Sequence, residues 1–286
     1  GFQGVAKNQI DITTVGRGGS DAIAVALAVE SNADCIIYTD VDGVYAVDPR
    51  VVSNAKMFKV ITPMQMIKMS QAGAGVMMPR SVEIADRFNQ PITVKLSPSF
   101  GISDGGTEIK KPQANGIESP QYAESAGLGI KKVGLVKIAG LPNTPGTALR
   151  IFKDLKVNIQ EIIQSPTMTS QPAAIVIILA RDDLAITERK LKKIKAEGDL
   201  ANMTLELYTD AVSLTLVDPN MIDSMGYLER MLAAIAQKSI NIESIFSAED
   251  KLGVVVKEEV HASAAQAVAA EFELTNEKEF RSTKTK

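Results

Sequence analysis

The chain has 286 residues, of which 45% are hydrophobic and 23% charged, and its formal net charge is −3. This balance is typical of a globular protein with room for two or three domains, and it gives no electrostatic basis for nucleic-acid binding. With one cysteine and one histidine, the chain cannot build a disulfide framework or a zinc site on those ligands, and no resident metal site is expected. No apolar run reaches the ~18 residues of a membrane span, so we expect a soluble cytoplasmic protein without membrane partners.

Strands and helices alternate in the amino-terminal third of the chain. The β-branched residues of 11–15 predict a strand, and the glycines after it lead into an apolar helix at 20–31. The next predicted elements are a strand at 35–40, helices at 63–70 and 80–88, and a strand at 92–97. Because strands that alternate with helices usually pair in parallel, we expect an α/β unit whose mostly parallel sheet has helices on both faces.

An internal repeat follows a stretch rich in Gly, Ser, Pro and Asn. The segment VGLVKIAG from Val133 aligns with VSLTLVDP from Val212, and LKVNIQEII from Leu155 aligns with KSINIESIF from Lys238. Each copy predicts strand, helix, strand, strand and helix, which suits a small α+β module. The predicted domains are an α/β unit at 1–112, a linker at 113–131, a first module at 132–207, and a second module with the carboxyl-terminal tail at 208–286.

A glycine hinge, GRGGSD at residues 16–21, connects the first predicted strand to its helix. Glycines allow close approach of a ligand, and the amides at a helix amino terminus attract an anion. Arg17 adds a planar donor suited to a carboxylate or phosphate, and Asp21 suits an amine. The hinge therefore favours a ligand that carries both charges, such as an amino acid. A plain turn with Ser20 as helix cap and Asp21 in the first helical turn is the alternative.

A polar loop, YTDVDGVYAVDPR, follows the second predicted strand and begins with Thr39 and Asp40. Ligands of open α/β sheets bind beyond the carboxyl ends of the strands, so these residues suit a nucleotide and its magnesium. Two alternatives are a calcium loop, whose EF-hand pattern is not met here, and a solvated turn.

Together these segments resemble one enzyme family. The stretches ITTVGRGGSDAIAVALA, IYTDVDGVYAVDPR, AGAGVMMPRSVEIADRF and GGTEI closely resemble aspartate kinases, members of the amino-acid kinase superfamily, and the repeated modules resemble their paired ACT domains. The resemblance implies a partial amino-acid kinase fold followed by two ferredoxin-like ACT domains. It further implies transfer of the γ-phosphoryl group of MgATP to the side chain of L-aspartate, the first step towards lysine, threonine and methionine.

The resemblance also implies roles for individual residues of the kinase part. Arg17 would hold a substrate carboxylate, Ser20 and Asp21 would complete the aspartate pocket, and Arg17 and Asp21 are the candidate catalytic residues. Four further residues would bind the nucleotide: Thr39, Asp40, Tyr45 and Arg50. Because the substrate carboxylate is itself the nucleophile, the reaction needs positioning and charge neutralisation but no general base.

The ACT resemblance implies a regulatory site for lysine and/or threonine in the first module. The candidate effector-binding residues are Asn143, Thr144, Pro145, Gly146, Thr147, Ile159 and Gln164. A tight strand-to-helix turn is the alternative interpretation of the loop. Because each module alone would leave a bare sheet edge, we expect pairing of the modules and a homo-oligomer.

Two departures from the family pattern bear on activity. Gly75 and Met78 replace a lysine and a histidine that many family members carry, and the family's amino-terminal Lys-Phe-Gly-Gly-Thr segment does not occur in the sequence. We therefore expect a chain truncated at its amino terminus, with little kinase activity alone. The rival hypothesis is a non-catalytic amino-acid-sensing subunit.

Overall fold

A computed structural model of the chain describes residues 3–7, 11–16, 18–98, 105–112, 126–165, 172–196, 200, 202–223, 226–248 and 250–276. The α/β part begins with an antiparallel hairpin of β1 (Gln3–Val5) and β2 (Ile12–Thr14), which forms a two-stranded sheet of its own. Helix α1 (Gly19–Ser31) follows and leads to strand β3 (Cys35–Thr39), as the sequence predicts.

Four short strands form the main sheet of the α/β part. They are β3, β4 (Val60–Ile61), β5 (Ile92–Leu96) and β6 (Thr107–Ile109), in the order β3-β5-β6-β4. The pairs β3–β5 and β4–β6 are parallel, and β5–β6 is antiparallel. The predicted α/β class is thus confirmed.

Helices α2 (Pro63–Ala72) and α3 (Pro79–Phe88) complete the α/β part. Helix α3 packs against both α1 and α2. Each begins with a proline at its first turn, where the missing N–H costs no hydrogen bond, and Thr62 caps α2 by accepting from the Gln65 amide. These start signals are local, so the sequence predicts both helices within two residues.

The two repeats together form one antiparallel sheet of six strands in the order β11-β12-β10-β7-β9-β8. Its strands are β7 (Gly127–Leu141), β8 (Ile159–Gln164), β9 (Ala173–Ala180), β10 (Thr204–Val217), β11 (Ser244–Ala248) and β12 (Lys251–Lys257). The helices of the first repeat are α4 (Thr147–Phe152) and α5 (Leu184–Ala196), and those of the second are α6 (Tyr227–Ala236) and α7 (His261–Glu271).

The long strands β7 and β10 are shared by both repeats. The carboxyl-terminal half of β7 pairs with the first residues of β10, which supply the fourth strand of the first repeat. Residues 127–133 of β7 pair with the second half of β10 and supply the fourth strand of the second repeat. Each repeat therefore has ferredoxin-like strand order. The first repeat is built from one contiguous segment, residues 133–208, whereas the second is completed by residues 127–133, which precede the first repeat in the chain.

Residues 127–131, predicted as linker, are strand. Their glycines are typical of a linker, but in the structure they allow close packing of β7 on α2. A Cβ on Gly129 would lie 2.5 Å from the Ala72 side chain in α2. The other predicted domain bounds stay predictions, and residues 113–125 of the predicted linker lie outside the described residues.

The backbone repeats its unusual conformations at equivalent positions. Gly146 and Gly226, which precede α4 and α6, have φ values of 89° and 94°, and Lys156 and Ser239, aligned by sequence, have φ values of 42° and 55°. Equivalent left-handed residues at equivalent turns confirm that the two copies are structural repeats.

The six-stranded sheet has two distinct faces. Helices α4 to α7 cover one, which we call the helix face, and Val136, Ile177 and Leu214 are buried beneath them. The opposite face packs in part against α2, and we call it the α2 face; Val133, Leu135, Ile178 and Val255 form its buried cluster.

The loop after β3 rests on the second repeat. Leu128 donates its backbone N–H to Ala46 O at 2.6 Å, and Lys56 donates to Leu274 O at 2.9 Å. Lys68 of α2 also forms an ion pair with Asp250 before β12. The α/β part and the second repeat accordingly share one continuous hydrophobic core.

In the part of the chain that the structure describes, no helix is long and apolar enough to cross a membrane.

Candidate functional site

The glycine hinge positions the amino terminus of α1. Gly18 is the capping residue, in the left-handed region with φ 72°, and the helix starts at Gly19. The alternative in which Ser20 caps the helix is therefore wrong, because Ser20 already lies in the first turn. A glycine cap has no side chain with which to occupy the amides of that turn. The Gly19 N–H donates to Gly16 O at 3.1 Å, so the amides of Ser20 and Asp21 are the ones suited to an anion. Arg17 lies outside the described residues.

Met78 packs directly on this hinge. A Cβ on Gly18 would lie 1.9 Å from the Met78 Cγ, so both the positive φ and the contact require glycine there. Met78 also precedes α3 as its capping residue. The position that departs from the family pattern thus borders the predicted substrate pocket, while Gly75 is exposed with open space around its Cα.

Asp21 is a half-buried carboxylate in the first turn of α1. Burial raises its pKa, and a hydrogen bond from Ser20 Oγ at 3.4 Å opposes that rise. Burial first, and then the charge of Asp21, raise the pKa of the Cys35 thiol at the start of β3. A desolvated carboxylate gains from a cationic partner, so Asp21 suits the amine of a ligand at this helix end.

The polar loop after β3 is held together by its own side chains. Thr39 Oγ1 donates to Asp40 Oδ1 at 3.0 Å, and the Tyr45 hydroxyl donates to Asp42 Oδ1 at 2.8 Å. Burial first, and then the bond to the Asp42 carboxylate, raise the pKa of Tyr45 to about 12. Its phenol is therefore a hydrogen-bond donor at neutral pH.

Arg50 is fixed by a bidentate pair with Asp48. Its Nε and Nη2 donate to the carboxylate at 3.0 and 2.8 Å, and the guanidinium lowers the pKa of Asp48. The Arg50 side chain is 87% exposed, so its remaining donors face solvent. The charge of Asp40 also acts on Arg50 and contributes to the rise of its pKa. Two of the predicted nucleotide residues are therefore electrostatic neighbours.

Thr107 forms the support of this loop and has no role in the sequence interpretation. Its buried hydroxyl accepts from the Val44 amide at 2.8 Å and donates to Phe58 O at 2.6 Å. The threonine belongs to the GGTEI segment, so a family signal was present, but its function depends on contacts that are remote in sequence.

The predicted regulatory loop is exposed at Asn143 to Gly146. Thr147, by contrast, is buried, and its hydroxyl donates to Pro142 O at 3.0 Å and lies 3.1 Å from Thr144 Oγ1. Ile159 packs on the first repeat's core, and Gln164 is exposed at the end of β8. The assignment of these residues to an effector stays a prediction.

The structure groups the predicted residues only within each segment. Among the described residues, no hydrogen bond or ion pair joins the pair Ser20 and Asp21 to the loop of Thr39 to Arg50.

Comparisons with known proteins cover both parts of the chain. The pattern of the Amino acid kinase family matches residues 1–95, and that of the ACT domain matches residues 214–272. The aspartokinase of Corynebacterium glutamicum is 35% identical over 288 residues, which cover 98% of this chain and 66% of that protein. The aspartate kinase of Pseudomonas fluorescens is 35% identical over 279 residues, which cover 96% of this chain and 65% of that protein. The chain thus spans about two thirds of the length of these relatives.

Solved structures share the fold across nearly the whole chain. Clostridium acetobutylicum aspartate kinase matches with a TM-score of 0.73 at 21% identity, covering 96% of this chain and 61% of that one. E. coli aspartokinase III with aspartate and ADP matches with a TM-score of 0.71 at 22% identity, covering 96% and 60%. The same enzyme with lysine and aspartate gives a TM-score of 0.69 at 23% identity, covering 95% and 59%.

Proposed function

The chain belongs to the aspartokinase family, with a partial amino-acid kinase fold followed by paired ACT domains, and on that premise we propose that it is the greater part of an aspartate kinase. The reaction transfers the γ-phosphoryl group of ATP to the side-chain carboxylate of L-aspartate and yields 4-phospho-L-aspartate. This product leads towards lysine, threonine and methionine.

The observation that carries the proposal is the self-supported loop at the carboxyl end of β3. It presents Asp40, the Tyr45 phenol and the outward donors of Arg50 where ligands of α/β sheets bind. Phosphoryl transfer depends mainly on positioning and on neutralising charge. We assign Arg50 to phosphate and Tyr45 to the adenosine half of the nucleotide.

Magnesium fits this loop as a companion of the nucleotide. The described residues contain no group of three or more metal-ligating side chains, and Mg²⁺ in such enzymes is usually bound by the substrate phosphates and one or two carboxylates. Asp40 and Asp42 are the carboxylates in position to serve. When bound, the ion neutralises charge on the transferring group.

L-Aspartate is assigned to the amino terminus of α1. The amides of the first turn suit one of its carboxylates, and Asp21, with its raised pKa, suits its amine. Arg17 and Ser20 complete the proposed pocket. The second carboxylate of the substrate then serves as the nucleophile, so no protein base takes part.

Lysine and/or threonine are the proposed effectors, at Asn143 to Thr147 with Ile159 and Gln164. The related E. coli aspartokinase III was crystallised with lysine and aspartate, and the loop is exposed in the first repeat. Because its hydroxyl is already bonded within the loop, Thr147 would shape this site more than it would bind the effector.

A homo-oligomer through the ACT domains is supported by the outer edges of the shared sheet. Among the residues that the structure describes, no strand pairs with the outer side of β8 or of β11. The aligned residues Ile162 and Ile245 on these strands are exposed, as are Leu149 and Leu228 in the neighbouring helices. Bare edges flanked by apolar side chains are typical surfaces for association.

A calorimetric titration with MgATP tests the nucleotide assignment. We expect Asp40→Asn to weaken MgATP binding by roughly tenfold or more, because it removes a carboxylate proposed to bind the Mg²⁺ that accompanies the phosphates. Asp34→Asn, a matched change in the exposed turn before β3, should leave binding as in the parent. Equal affinity of parent and Asp40→Asn would contradict the assignment.

A further inference from the structure

A cavity lies between α2 and the α2 face of the six-stranded sheet. Its volume is about 460 Å³, within the range of ~300–1,000 Å³ that is usual for small-molecule sites. Helix α2 and strands from both repeats contribute to its walls, and its polar lining includes Lys68, Lys131, Glu161, Ser213, Thr215 and Lys251. It is separate from the loop after β3 and from the predicted regulatory loop.

Two glycines create the walls of this cavity. Thr215 lies between Gly129 on β7 and Gly253 on β12 in the strand register. A Cβ on Gly129 would collide with Ala72 of α2, and one on Gly253 would lie 2.0 Å from the Phe246 ring. Helix α2 and the Phe246 ring therefore pack directly on the backbone of the sheet, one on each side of Thr215.

The floor of the cavity offers hydroxyl donors. Ser213 and Thr215 are only 4% and 5% exposed, and their hydroxyl oxygens lie 3.1 Å apart. The bond between them uses one of the two hydroxyl hydrogens, which leaves the other to donate. Buried hydroxyls with a hydrogen to donate are suited to an anionic oxygen.

Lys131 supplies a cation next to these hydroxyls. It lies opposite Ser213 in the register, so both side chains belong to the α2 face. Its neighbour is a neutral group: the Gln160 amide oxygen, in the orientation that satisfies both ends of that amide, lies 3.0 Å from Lys131 Nζ. Burial lowers the pKa of Lys131. In the described part of the chain no carboxylate forms an ion pair with it.

The other charges of the lining are already matched. Lys68 pairs with Asp250, and Lys251 pairs with Glu161. The lining thus carries three lysines and two carboxylates, with Lys131 as the cation in excess.

We propose that this cavity binds an acidic amino acid, a ligand of net charge −1 that carries two carboxylates and an amine. One carboxylate binds Lys131 and the hydroxyls of Ser213 and Thr215. The amine and the second carboxylate meet the Glu161–Lys251 pair, which offers one group of each sign.

The cavity and the proposed effector residues lie on different faces of the sheet. Glu161 pairs across the strands with Ile178, which belongs to the buried cluster of the α2 face. Gln164 pairs with Ile175, which belongs to the core beneath α4 and α5. Because directly opposed residues project to the same side, Glu161 and Gln164 serve different sites. A ligand in the cavity would bridge α2 and both repeats.

Calorimetry with L-glutamate tests the proposal on the 286-residue chain. L-Glutamate serves as the probe because L-aspartate would also bind at the proposed substrate pocket. We expect one site per chain, and affinity at least roughly tenfold lower in Lys131→Met, since a charge-assisted bond is lost. Lys132→Met is the matched control. Lys132 is the next residue on the strand, faces the helices and pairs with Glu258, so this variant should bind L-glutamate within about twofold of the parent.

Further arms identify the ligand class and the location. L-Glutamine should bind at least roughly tenfold more weakly than L-glutamate, because it lacks the second carboxylate. Asp21→Asn should leave L-glutamate affinity unchanged. If this variant lost affinity for L-glutamate, the binding would belong to the proposed substrate pocket, and the assignment to the cavity would be refuted. Thr215→Val, which keeps the side-chain shape, should weaken binding and serves as the test if circular dichroism shows that Lys131→Met does not fold. The proposal would be refuted if the parent did not bind L-glutamate. It would also be refuted if Lys131→Met or Thr215→Val bound L-glutamate as tightly as the parent does.

Discussion

The two repeats share one topology but differ in what surrounds them. The first has a hydrophobic core of its own, and its strand-to-helix loop is exposed from Asn143 to Gly146. The core of the second repeat is continuous with that of the α/β part. A duplicated unit can thus keep its strand order while one copy anchors the neighbouring domain and the other leaves its loop open.

The loops before the first helices show the same difference. In the second repeat Asp218 is buried, and it accepts from the Tyr227 hydroxyl at 2.7 Å and from the Asn220 amide at 2.9 Å. The Tyr227 ring stacks on Phe272 at 5.6 Å between centroids, and Arg230 lies over the same Phe272 ring. Asp218 and Tyr227 of this loop region are thus bonded to the protein itself, which favours an anchoring role over effector binding.

The largest expected effect comes from truncating one core residue in each repeat. Leu214→Ala in the shared core and Ile177→Ala in the first repeat's core each remove a fully buried side chain, which costs about 2–5 kcal/mol of unfolding free energy. Hydrogen exchange read by mass spectrometry should show Leu214→Ala loosening the α/β part together with the second repeat. Ile177→Ala should loosen the first repeat alone. Loss of protection in the same segments for both variants would contradict separate cores.

Asp218→Ala should have the next largest effect. It removes a buried carboxylate that accepts from the half-buried Tyr227 hydroxyl and from the Asn220 backbone N–H, and losing hydrogen bonds to a charged group costs about 1.5–3 kcal/mol. Urea denaturation measures the change, with Asn143→Ala in the exposed loop as the matched control, expected within ~0.5 kcal/mol of the parent. A parent-like midpoint for Asp218→Ala would show that this loop is not part of an anchor.

Asn143→Ala should instead lower effector affinity. Loss of one hydrogen bond to L-lysine or L-threonine weakens binding by roughly 3- to 10-fold, and calorimetry with each amino acid measures it. Asn220→Ala in the second repeat's loop should leave this affinity unchanged. If Asn220→Ala weakened effector binding and Asn143→Ala did not, the roles of the two loops would be reversed.

The smallest expected effect is a pH dependence in the loop that rests on the second repeat. The pKa of Tyr45 is raised to about 12 from an ordinary value of 10.0, so the folded state favours the protonated phenol. Its contribution to stability is present below the ordinary pKa and is lost as pH rises from there towards the folded value. The difference in urea midpoint between parent and Tyr45→Phe should shrink between about pH 10 and about pH 12. A constant difference over that range would contradict the raised pKa.

Local signals made much of the α/β part predictable. Prolines at the starts of α2 and α3 and the apolar run of β3 fixed those elements within two residues of the prediction. One interpretation assigned the helix cap to Ser20, but the cap is Gly18. Position 18 must be glycine because Met78, 60 residues away in the chain, packs on it. Such a contact has no local signature.

The completion of the second repeat by residues 127–133, which precede the first repeat, was beyond local sequence patterns for the same reason. By composition Gly127 and Gly129 resemble linker residues. In the structure they lie against α2, and the lack of a side chain at these positions permits the contact between α2 and β7. Thr107 likewise gains its role only when β6 lies beside the loop after β3. Periodicity predicts elements, but pairing between distant strands decides how the repeats close and where cavities form.

Aspartate kinase activity is tested most directly by trapping the product. An acyl phosphate reacts with hydroxylamine, so 4-phospho-L-aspartate is converted to aspartyl hydroxamate as it forms. In the natural protein that carries this chain, we predict hydroxamate that requires ATP, Mg²⁺ and L-aspartate together and that falls sharply in Asp40→Asn. If the protein bound MgATP and L-aspartate but formed no hydroxamate, the proposed aspartate kinase activity would be contradicted. That result would favour a non-catalytic amino-acid-sensing subunit.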